Sequence, residues 1–403
     1  MDKLRKRKNV ISRIIFQTAT IAGIFALSIL LFSIINEAFG YVIFVNKNSP
    51  ADIYDSDKNL NDADEDELIA ILEQNLSKGL IRRFNFEKPF AERDVKNILE
   101  LVMVEVVNPE IVKAWSLTSS IFGRKKILDT LAQDYPTGNL EFRSWLTLKF
   151  LFAPQSSIPE KTGIITALSG SLLLLLIAII LAFPLGVGTA IYMEEYAKQN
   201  RLNSLIQLNI YNLAGIPSII YGMLGLAVFV RFLEPITSGQ IFTTTVNNTA
   251  NGRTILSAGL TLGLLILPII IINAQEAIRA VPKSLKFSSY GLGATKWQTI
   301  WHHIIPYSMD RILTGSILAV SRALGETAPL IVIGASTFVA QKPNSIFSKF
   351  TALPIQIYQW TARPQPEFRK VAAAAIIVLL VLLLTLNAGA VLLRNHHNQK
   401  KKG

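Results

Sequence analysis

The chain has 403 residues, half of them hydrophobic, and its mean hydropathy is positive. These values exclude an ordinary soluble enzyme and, together with several apolar runs of about 20 residues, indicate a polytopic membrane protein. The net charge of +12 would suit nucleic-acid binding, but the basic residues cluster at the ends of apolar runs, where they anchor a chain in the membrane. The lack of cysteine excludes disulfides and thiolate metal sites.

The first 35 residues combine a basic segment with a long apolar run. Six Lys and Arg residues precede residue 14, and residues 14–35 are almost entirely apolar. The run is long, and no small-residue cleavage site of a signal peptide follows it. We therefore predict a basic cytoplasmic N-terminal tail and a first membrane-spanning helix within residues 1–35.

Residues 36–162, which we call the insertion, differ from the rest of the chain in polarity. They include 20 acidic and 15 basic residues and are numerous enough to form a domain of their own, which we predict to be extracytoplasmic. Acidic residues open the segment 62–75, and residues 93–107 end before a proline, so both are predicted helices.

The acidic start of the first predicted helix has a second interpretation. Asp62, Asp64, Asp66 and Glu73 match four ligand positions of a calcium-binding loop. Glu67 stands where such a loop requires glycine for its turn, so a helix start is the preferred interpretation. No metal site is predicted elsewhere, because the four histidines form two pairs of adjacent residues that would point in different directions on a helix.

Five further apolar segments are long enough to cross a bilayer. Together with the first span they predict six membrane helices, a membrane core over residues 163–393 and a basic cytoplasmic tail over residues 394–403. The predicted spans two to six are residues 163–192, 205–232, 255–274, 312–334 and 371–393.

The third predicted span contains a break at Gly215 and Pro217. Small residues inside a membrane helix allow close packing against a neighbour, which is one explanation of the break. A direct role in a transport path is the other.

A polar loop over residues 276–306, which we call the hook, separates the fourth and fifth spans. Pro282 suits a first helical turn and Gly293 suits the position just past a helix end, so a helix is predicted over residues 282–292.

The second half of the hook is also predicted to be helical. Thr295 and Gln298 have the spacing of a capping box, so a helix is predicted over residues 296–306, with its end near Pro306. A helix–glycine–helix hook on a membrane protein is typical of a docking device, and Trp297 is its expected anchor. Trp297 lying at the level of the lipid headgroups is the alternative.

The fifth predicted span carries two charges. Arg322 lies near its centre, where an arginine costs about 2.5–3.5 kcal/mol on insertion scales, so it needs a partner or an aqueous path. Glu326 is four residues away on the same helix face. Pro329 is predicted to kink the helix beside the two charges. The pair is either part of a path for anions or a buried ion pair that only neutralises itself.

Charge counting predicts the orientation of the chain. With both termini in the cytoplasm, the inner segments hold 17 Lys and Arg residues and the short outer loops hold 7. The chain has no Gly-Lys dipeptide and therefore no Walker A loop, so an ATP-driven motor would have to be a separate subunit. No catalytic constellation is predicted.

The hook resembles the cytoplasmic coupling loop of ABC importer permeases. Gly293 and Pro306 stand at the motif positions, whereas Phe287, Ser288 and Ser289 replace the expected Glu-Ala-Ala and His303 replaces an Ile. Three segments are similar to PstA-type phosphate permeases: LAGIPSIIYG from residue 213, YGLGATKWQTI from residue 290 and SRALGETAPL from residue 321. The resemblance covers about residues 163–393.

This resemblance implies an all-α polytopic membrane protein with six transmembrane helices of the type I ABC importer permease fold, interrupted by the large insertion between helices 1 and 2. It also implies a permease subunit of an ATP-driven phosphate importer in a prokaryotic plasma membrane. The expected partners are a second related permease subunit in a heterodimer, two ATPase subunits and an extracytoplasmic phosphate-binding protein. No cofactor is expected in this chain, since ATP-Mg would be bound by the ATPase.

The site residues follow from the resemblance and from the residues themselves. The expected substrate path comprises Arg322, Glu326, Ser321 and Thr327. The expected coupling residues are Leu292, Gly293, Ala294, Thr295, Trp297 and Pro306, and the expected helix breaks are Gly215, Pro217 and Pro329. A permease for phosphonate, sulfate or molybdate is the alternative within this class. A membrane sensor or scaffold, whose insertion senses and whose hook recruits a partner, is the alternative outside it.

Overall fold

In a computed structural model of the chain, the structure describes residues 2–48, 53, 63–241, 250–335, 338–339 and 341–400. These residues form two compact units, one made of residues 1–145 with 365–371 and the other of residues 146–364 with 372–403. Asp62, the first position of the calcium-loop alternative, lies outside the described residues.

The first unit starts with a long helix and continues into a small sheet. The helix Asp2–Ala38 leads directly into the strand Phe39–Asn46. That strand is central in a three-stranded antiparallel sheet, paired on one side with Pro109–Ala114 and on the other with Asn139–Ser144. Val42 and Ile43 of the central strand are fully buried. The sheet was not predicted, because the central strand reads as a polar-flanked extension of the first apolar span.

In the described part of the first unit, five short α-helices accompany the long helix and the sheet. The helix predicted over residues 62–75 is present as Glu65–Asn75, and Asp64 and Glu67 form a capping box at its start. The predicted helix over residues 93–107 is also present, as an α-helix that widens into a π-turn over Val102–Val107. The helices are Glu65–Asn75, Lys78–Glu87, Val95–Leu101, Leu117–Phe122 and Arg124–Asp134.

The second unit is helical and is built around the helix Ile255–Arg279. This helix packs against Ile165–Ile191 on one side and Ile305–Gly325 on the other, and 16 of its residues are buried. Thr254 begins it with a capping box, its hydroxyl accepting the N–H of Ser257. The helices of the unit, in order, are Leu148–Phe152, Ile165–Ile191, Arg201–Ala214, Ser218–Gly225, Glu234–Thr237, Ile255–Arg279, Lys283–Gly291, Lys296–Thr299, Ile305–Gly325, Ala328–Ile333, Leu353–Thr361 and Pro366–Lys400, the last of which begins in the first unit.

Among the described residues, four helices are long and apolar enough to cross a membrane: Ile11–Ala38, Ile165–Tyr196, Ile255–Arg279 and Pro366–Gly389. They correspond to predicted spans one, two, four and six, and confirm a mostly helical membrane protein. The helices Arg201–Ala214 and Ser218–Phe232 meet this test only together and are bent by 104°. The third predicted span is therefore not one continuous helix.

The fifth predicted span, residues 312–334, is also divided. The helix Ile305–Gly325 ends within it, and a separate helix, Ala328–Ile333, follows. This segment is not among the four apolar helices, because its charged residues lower its hydropathy.

The hook is folded as two helices around a glycine. The first runs over Lys283–Gly291, and Gly293 follows in the left-handed conformation with φ of 83°. Thr295 and Gln298 form the predicted capping box.

The predicted end of the second hook helix near Pro306 is wrong. Helical structure continues from Lys296 through the π-turn Ile300–Ile304 into Ile305–Gly325. In the π-turn the N–H of Ile305 bonds the carbonyl of Ile300, five residues back. This wider turn accommodates a proline, which lacks an N–H and would crowd a carbonyl four residues back in an α-helix.

Candidate functional site

The charged segment contains a complete break in the helix, where only a kink at Pro329 was predicted. The helix Ile305–Gly325 ends at Glu326, whose backbone is extended (φ −76°, ψ 122°). Pro329 then occupies the first turn of Ala328–Ile333, where its missing N–H has no helical partner to lose. The break therefore lies on the N-terminal side of the proline, beside the two charged residues.

Arg322 and Glu326 meet across this break. Arg322 Nε lies 3.3 Å from Glu326 Oε1. The arginine side chain is 53% exposed and the glutamate side chain 19% exposed. Within this chain the pair is thus open on the arginine side, and an exposed pair of this kind adds little stability. The guanidinium keeps donors available for another ligand.

Ser321 and Thr327 flank the pair and make different hydrogen bonds. The Ser321 hydroxyl donates to Asn387 Oδ1 at 2.7 Å, which ties this helix to the last helix of the chain. Thr327 precedes the new helix, and its carbonyl accepts the N–H of Ile331. The structure therefore brings all four predicted path residues to one place, with the Ser321 hydroxyl engaged in helix packing.

Gly215 and Pro217 lie at the 104° bend between Arg201–Ala214 and Ser218–Phe232. A Cβ added at Gly215 would meet only the carbonyl oxygen of Asn212, in its own helix, at 3.5 Å. Close packing against another helix of the described chain therefore does not explain this glycine. The bend is fixed instead by Tyr221, whose hydroxyl donates to the carbonyl of Leu213 at 2.8 Å.

The two interruptions touch through their second helices. A Cβ added at Gly222 would lie 2.7 Å from Pro329 Cα and 2.9 Å from its carbonyl oxygen. Sequence reasoning quoted Gly222 as the last residue of one similar segment and Pro329 as part of another, but it did not predict their contact. The available signal was that both segments belong to the same resemblance.

The hook presents apolar side chains to the outside of this chain. Leu292 is 90% exposed and Trp297 is 60% exposed, and Phe287 and Trp301 are exposed as well. The rings of Trp297 and Trp301 stack with their centroids 5.6 Å apart. A cluster of exposed aromatic and aliphatic side chains on a short rigid loop is typical of a protein-binding surface.

Comparison with known proteins gives the family. Residues 182–402 match the model of the binding-protein-dependent transport system inner membrane component. This chain belongs to that family. As an importer permease it is not an enzyme, and the ATPase is a separate subunit. The match begins after the insertion, so the insertion lies outside it.

Some relatives of this permease are named for phosphate transport, and others have names that give no substrate. A probable ABC transporter permease, YqgI of Bacillus subtilis, is 33% identical over 226 residues, covering 53% of this chain and 71% of that protein. The phosphate transport system permease PstC of Pasteurella multocida is 34% identical, with the same coverage of both chains. A PstA homologue of Mycoplasma pneumoniae is 33% identical over 41% of this chain and 24% of its own length. The predicted resemblance to phosphate permeases is confirmed.

Three side-chain contacts join the hook to the turn that follows the second span. Arg279 bonds Glu194 at 2.7 Å, and Lys286 forms an ion pair with the buried carboxylate of Glu195. The Lys296 ammonium lies 5.0 Å from the centre of the Tyr196 ring. We call the three residues Glu194, Glu195 and Tyr196 the brace. It holds the hook at three points along its length.

The brace was not predicted from the sequence, because its residues lie between the second and third predicted spans, in a segment to which the sequence analysis assigned no role. The available signal was a pair of adjacent acidic residues, Glu194 and Glu195, just after the second predicted span, together with the basic residues of the hook. Partial burial, and then the nearby charge of Glu195, raise the pKa of Tyr290 within the hook, so its phenol stays neutral in the physiological range.

Proposed function

We propose that this chain is a transmembrane permease subunit of an ATP-driven phosphate importer and that it forms part of the inorganic phosphate path. The observation that carries the proposal is the exposed Arg322 beside Glu326 at a helix break. A membrane protein keeps an arginine at such a place when it faces a partner or an aqueous path. Several relatives with names in phosphate transport support the choice of ion.

Arg322 would bind the anion, and Glu326 would hold or release it. An arginine can donate two parallel hydrogen bonds to phosphate oxygens. Glu326 occupies the guanidinium at 3.3 Å through Nε alone, which leaves the terminal nitrogens for an anion. The break gives the pair freedom to separate, since Glu326 has left the helix that carries Arg322.

The hook would transmit the movement of the ATPase. The exposed Leu292 and Trp297 would dock on one of two ATPase subunits, which bind ATP-Mg, while Ala294 and the Thr295 cap keep the hook rigid. The brace would then carry hook movement to the second span. A second related permease in a heterodimer and an extracytoplasmic phosphate-binding protein would complete the importer, in a prokaryotic plasma membrane with both termini cytoplasmic.

Uptake of labelled phosphate by cells that express the complete importer tests this proposal. Arg322→Gln should abolish uptake while the ATPase still co-purifies with the permease. Arg311→Gln, which removes another exposed cation from the same helix, is the matched control and should transport normally.

Three outcomes contradict the proposal. Wild-type importer that takes up sulfate, molybdate or phosphonate, but not phosphate, overturns the substrate. Normal phosphate uptake by the Arg322 variant assigns the ion pair a structural role only. If variants of this chain alter cell growth but the wild-type importer takes up none of these anions, the chain is better explained as a membrane sensor or scaffold.

A further inference from the structure

One short helix of the insertion is fixed to the end of the first span. The N–H of Thr118 donates to Asn36 Oδ1 at 2.8 Å, so the helix Leu117–Phe122 begins at the last turn of Asp2–Ala38. A second bond, from the N–H of Tyr41 to the Ser120 hydroxyl at 2.8 Å, fixes the same helix to the central strand. Both bonds lie within the first unit.

The length of the first span indicates where this attachment lies relative to the bilayer. Residues 14–35 are 22 residues long, or about 33 Å as a helix, which matches a hydrocarbon core of about 30 Å. Along the described part of this helix, side chains 11–33 are exposed, whereas Ile34 and Asn36 are partly covered and Ala38 is fully buried, with Ile35 still 37% exposed between them. Asn36, and with it Thr118, therefore lies at the level of the lipid headgroups.

The face of this helix opposite Ser120 is apolar and uncovered. Ser120 is buried toward the sheet, whereas Ile121 is exposed and Phe122 is 88% exposed. Three consecutive exposed cations, Arg124, Lys125 and Lys126, follow after Gly123. Exposed apolar side chains next to a basic run are the signature of an element that lies in a membrane interface.

We propose that residues 121–126, which we call the lipid wedge, insert Ile121 and Phe122 into the bilayer surface and bind anionic phospholipid headgroups through Arg124, Lys125 and Lys126. The height of Asn36 brings the wedge to the bilayer, and its three positive charges complement anionic lipids. The wedge anchors the insertion to the membrane at a second point beside the first span. This inference does not depend on the transported ion.

Site-specific labelling tests it directly, because the chain has no cysteine. Phe122→Cys and Phe86→Cys would each carry an environment-sensitive fluorophore in the full-length protein. Phe86 is the matched control, a 92% exposed phenylalanine in a helix that packs on Glu65–Asn75. Each protein is placed in nanodiscs of phosphatidylcholine with or without phosphatidylglycerol, and iodide and a spin-labelled lipid serve as quenchers.

The expected result separates the two positions. The label at residue 122 should emit at shorter wavelength, resist iodide and be quenched by the spin-labelled lipid, whereas the label at residue 86 should show the reverse. In the Phe122→Cys background, Lys125→Glu with Lys126→Glu should remove the increase in shielding that phosphatidylglycerol produces.

Three results overturn the proposal. Equal iodide quenching at both positions shows that the wedge stays in water. Shielding at residue 122 without quenching by the spin-labelled lipid shows that protein, such as a second copy, covers it. Shielding that is the same with and without phosphatidylglycerol overturns the binding of anionic lipid.

Discussion

The second unit contains two interrupted helices that meet each other and yet differ in chemistry. The bend at Gly215 and Pro217 is uncharged, and the backbone carbonyl of Leu213 there accepts both the N–H of Ile216 and the Tyr221 hydroxyl. The break at Glu326 carries an ion pair whose arginine is more than half exposed. Freed backbone and charges are costly at membrane depth. The first interruption is therefore a closed joint, whose polar groups bond within the chain, and the second is open on the side of Arg322.

The largest expected effect on transport is at the open interruption. Glu326→Gln should lower phosphate uptake by about tenfold, or about 1.4 kcal/mol, because it removes the group that holds and releases Arg322. The free energy of unfolding of this variant should differ from that of the wild type by less than about 1 kcal/mol, since the arginine of the pair is more than half exposed. Initial uptake rates and thermal unfolding of the purified protein measure both.

An exchanged pair sharpens this prediction. Arg322→Glu combined with Glu326→Arg keeps the ion pair but moves the guanidinium to the other side of the break. It should remain inactive if Arg322 contacts the anion at its own position. Restored uptake would mean that only the pair, and not its orientation, matters.

The next effect is on stability, where the two interruptions touch. Gly222→Ala places a methyl group 2.7 Å from Pro329 Cα, and backbone cannot move aside cheaply. We expect destabilisation by about 1–3 kcal/mol, as for other overpacked cores. Gly188→Ala is the control, since a Cβ there meets nothing within 4 Å. Equal thermal unfolding of the two variants would show that the helices separate easily.

A smaller effect is expected where paired charges hold the hook. Glu195→Gln leaves Lys286 without its ionic partner. Hydrogen bonds to charged groups contribute about 1.5–3 kcal/mol to stability. We expect a loss of stability at the lower end of that range, because Lys286 is partly exposed. ATP hydrolysis should persist with reduced uptake. Glu194→Gln is the control and should have a weaker effect, because Arg279 is half exposed. The ratio of phosphate imported to ATP hydrolysed decides the result.

The smallest effect is expected at the closed joint. Tyr221→Phe removes the hydroxyl that bonds the Leu213 carbonyl and should cost about 1 kcal/mol of stability with uptake unchanged. Tyr358→Phe, an exposed tyrosine in the same unit, should cost nothing measurable. A loss of uptake at Tyr221 without a loss of stability would place the bend in the transport path and remove the contrast between the two interruptions.

Signals confined to a few neighbouring residues were predicted correctly from the sequence. Thr295 and Gln298 form the capping box that their spacing indicates. Gly293 adopts the left-handed conformation expected just past a helix end. In each case the stabilising contact lies within four residues, so the sequence contains the complete interaction.

Contacts between distant segments were not predictable in the same way. The central strand Phe39–Asn46 needs partners 63 to 105 residues away to be recognised as a strand. The contact of Gly222 with Pro329 and the ion pair of Lys286 with Glu195 likewise join segments that only the fold brings together. The π-turn at Ile300–Ile304 shows a further limit, because it let the helix continue through a proline that was expected to end it.

Two glycines of this permease are needed for opposite reasons, and this difference should be visible in natural sequence variation. Gly293 has φ of 83° and free space around its Cα, whereas Gly222 has an ordinary φ and no space. Asparagine tolerates the left-handed conformation, so orthologues can carry Asn at position 293 without losing the hook. At position 222 every side chain collides with Pro329, and a substitution there can survive only together with a compensating change in the opposite helix.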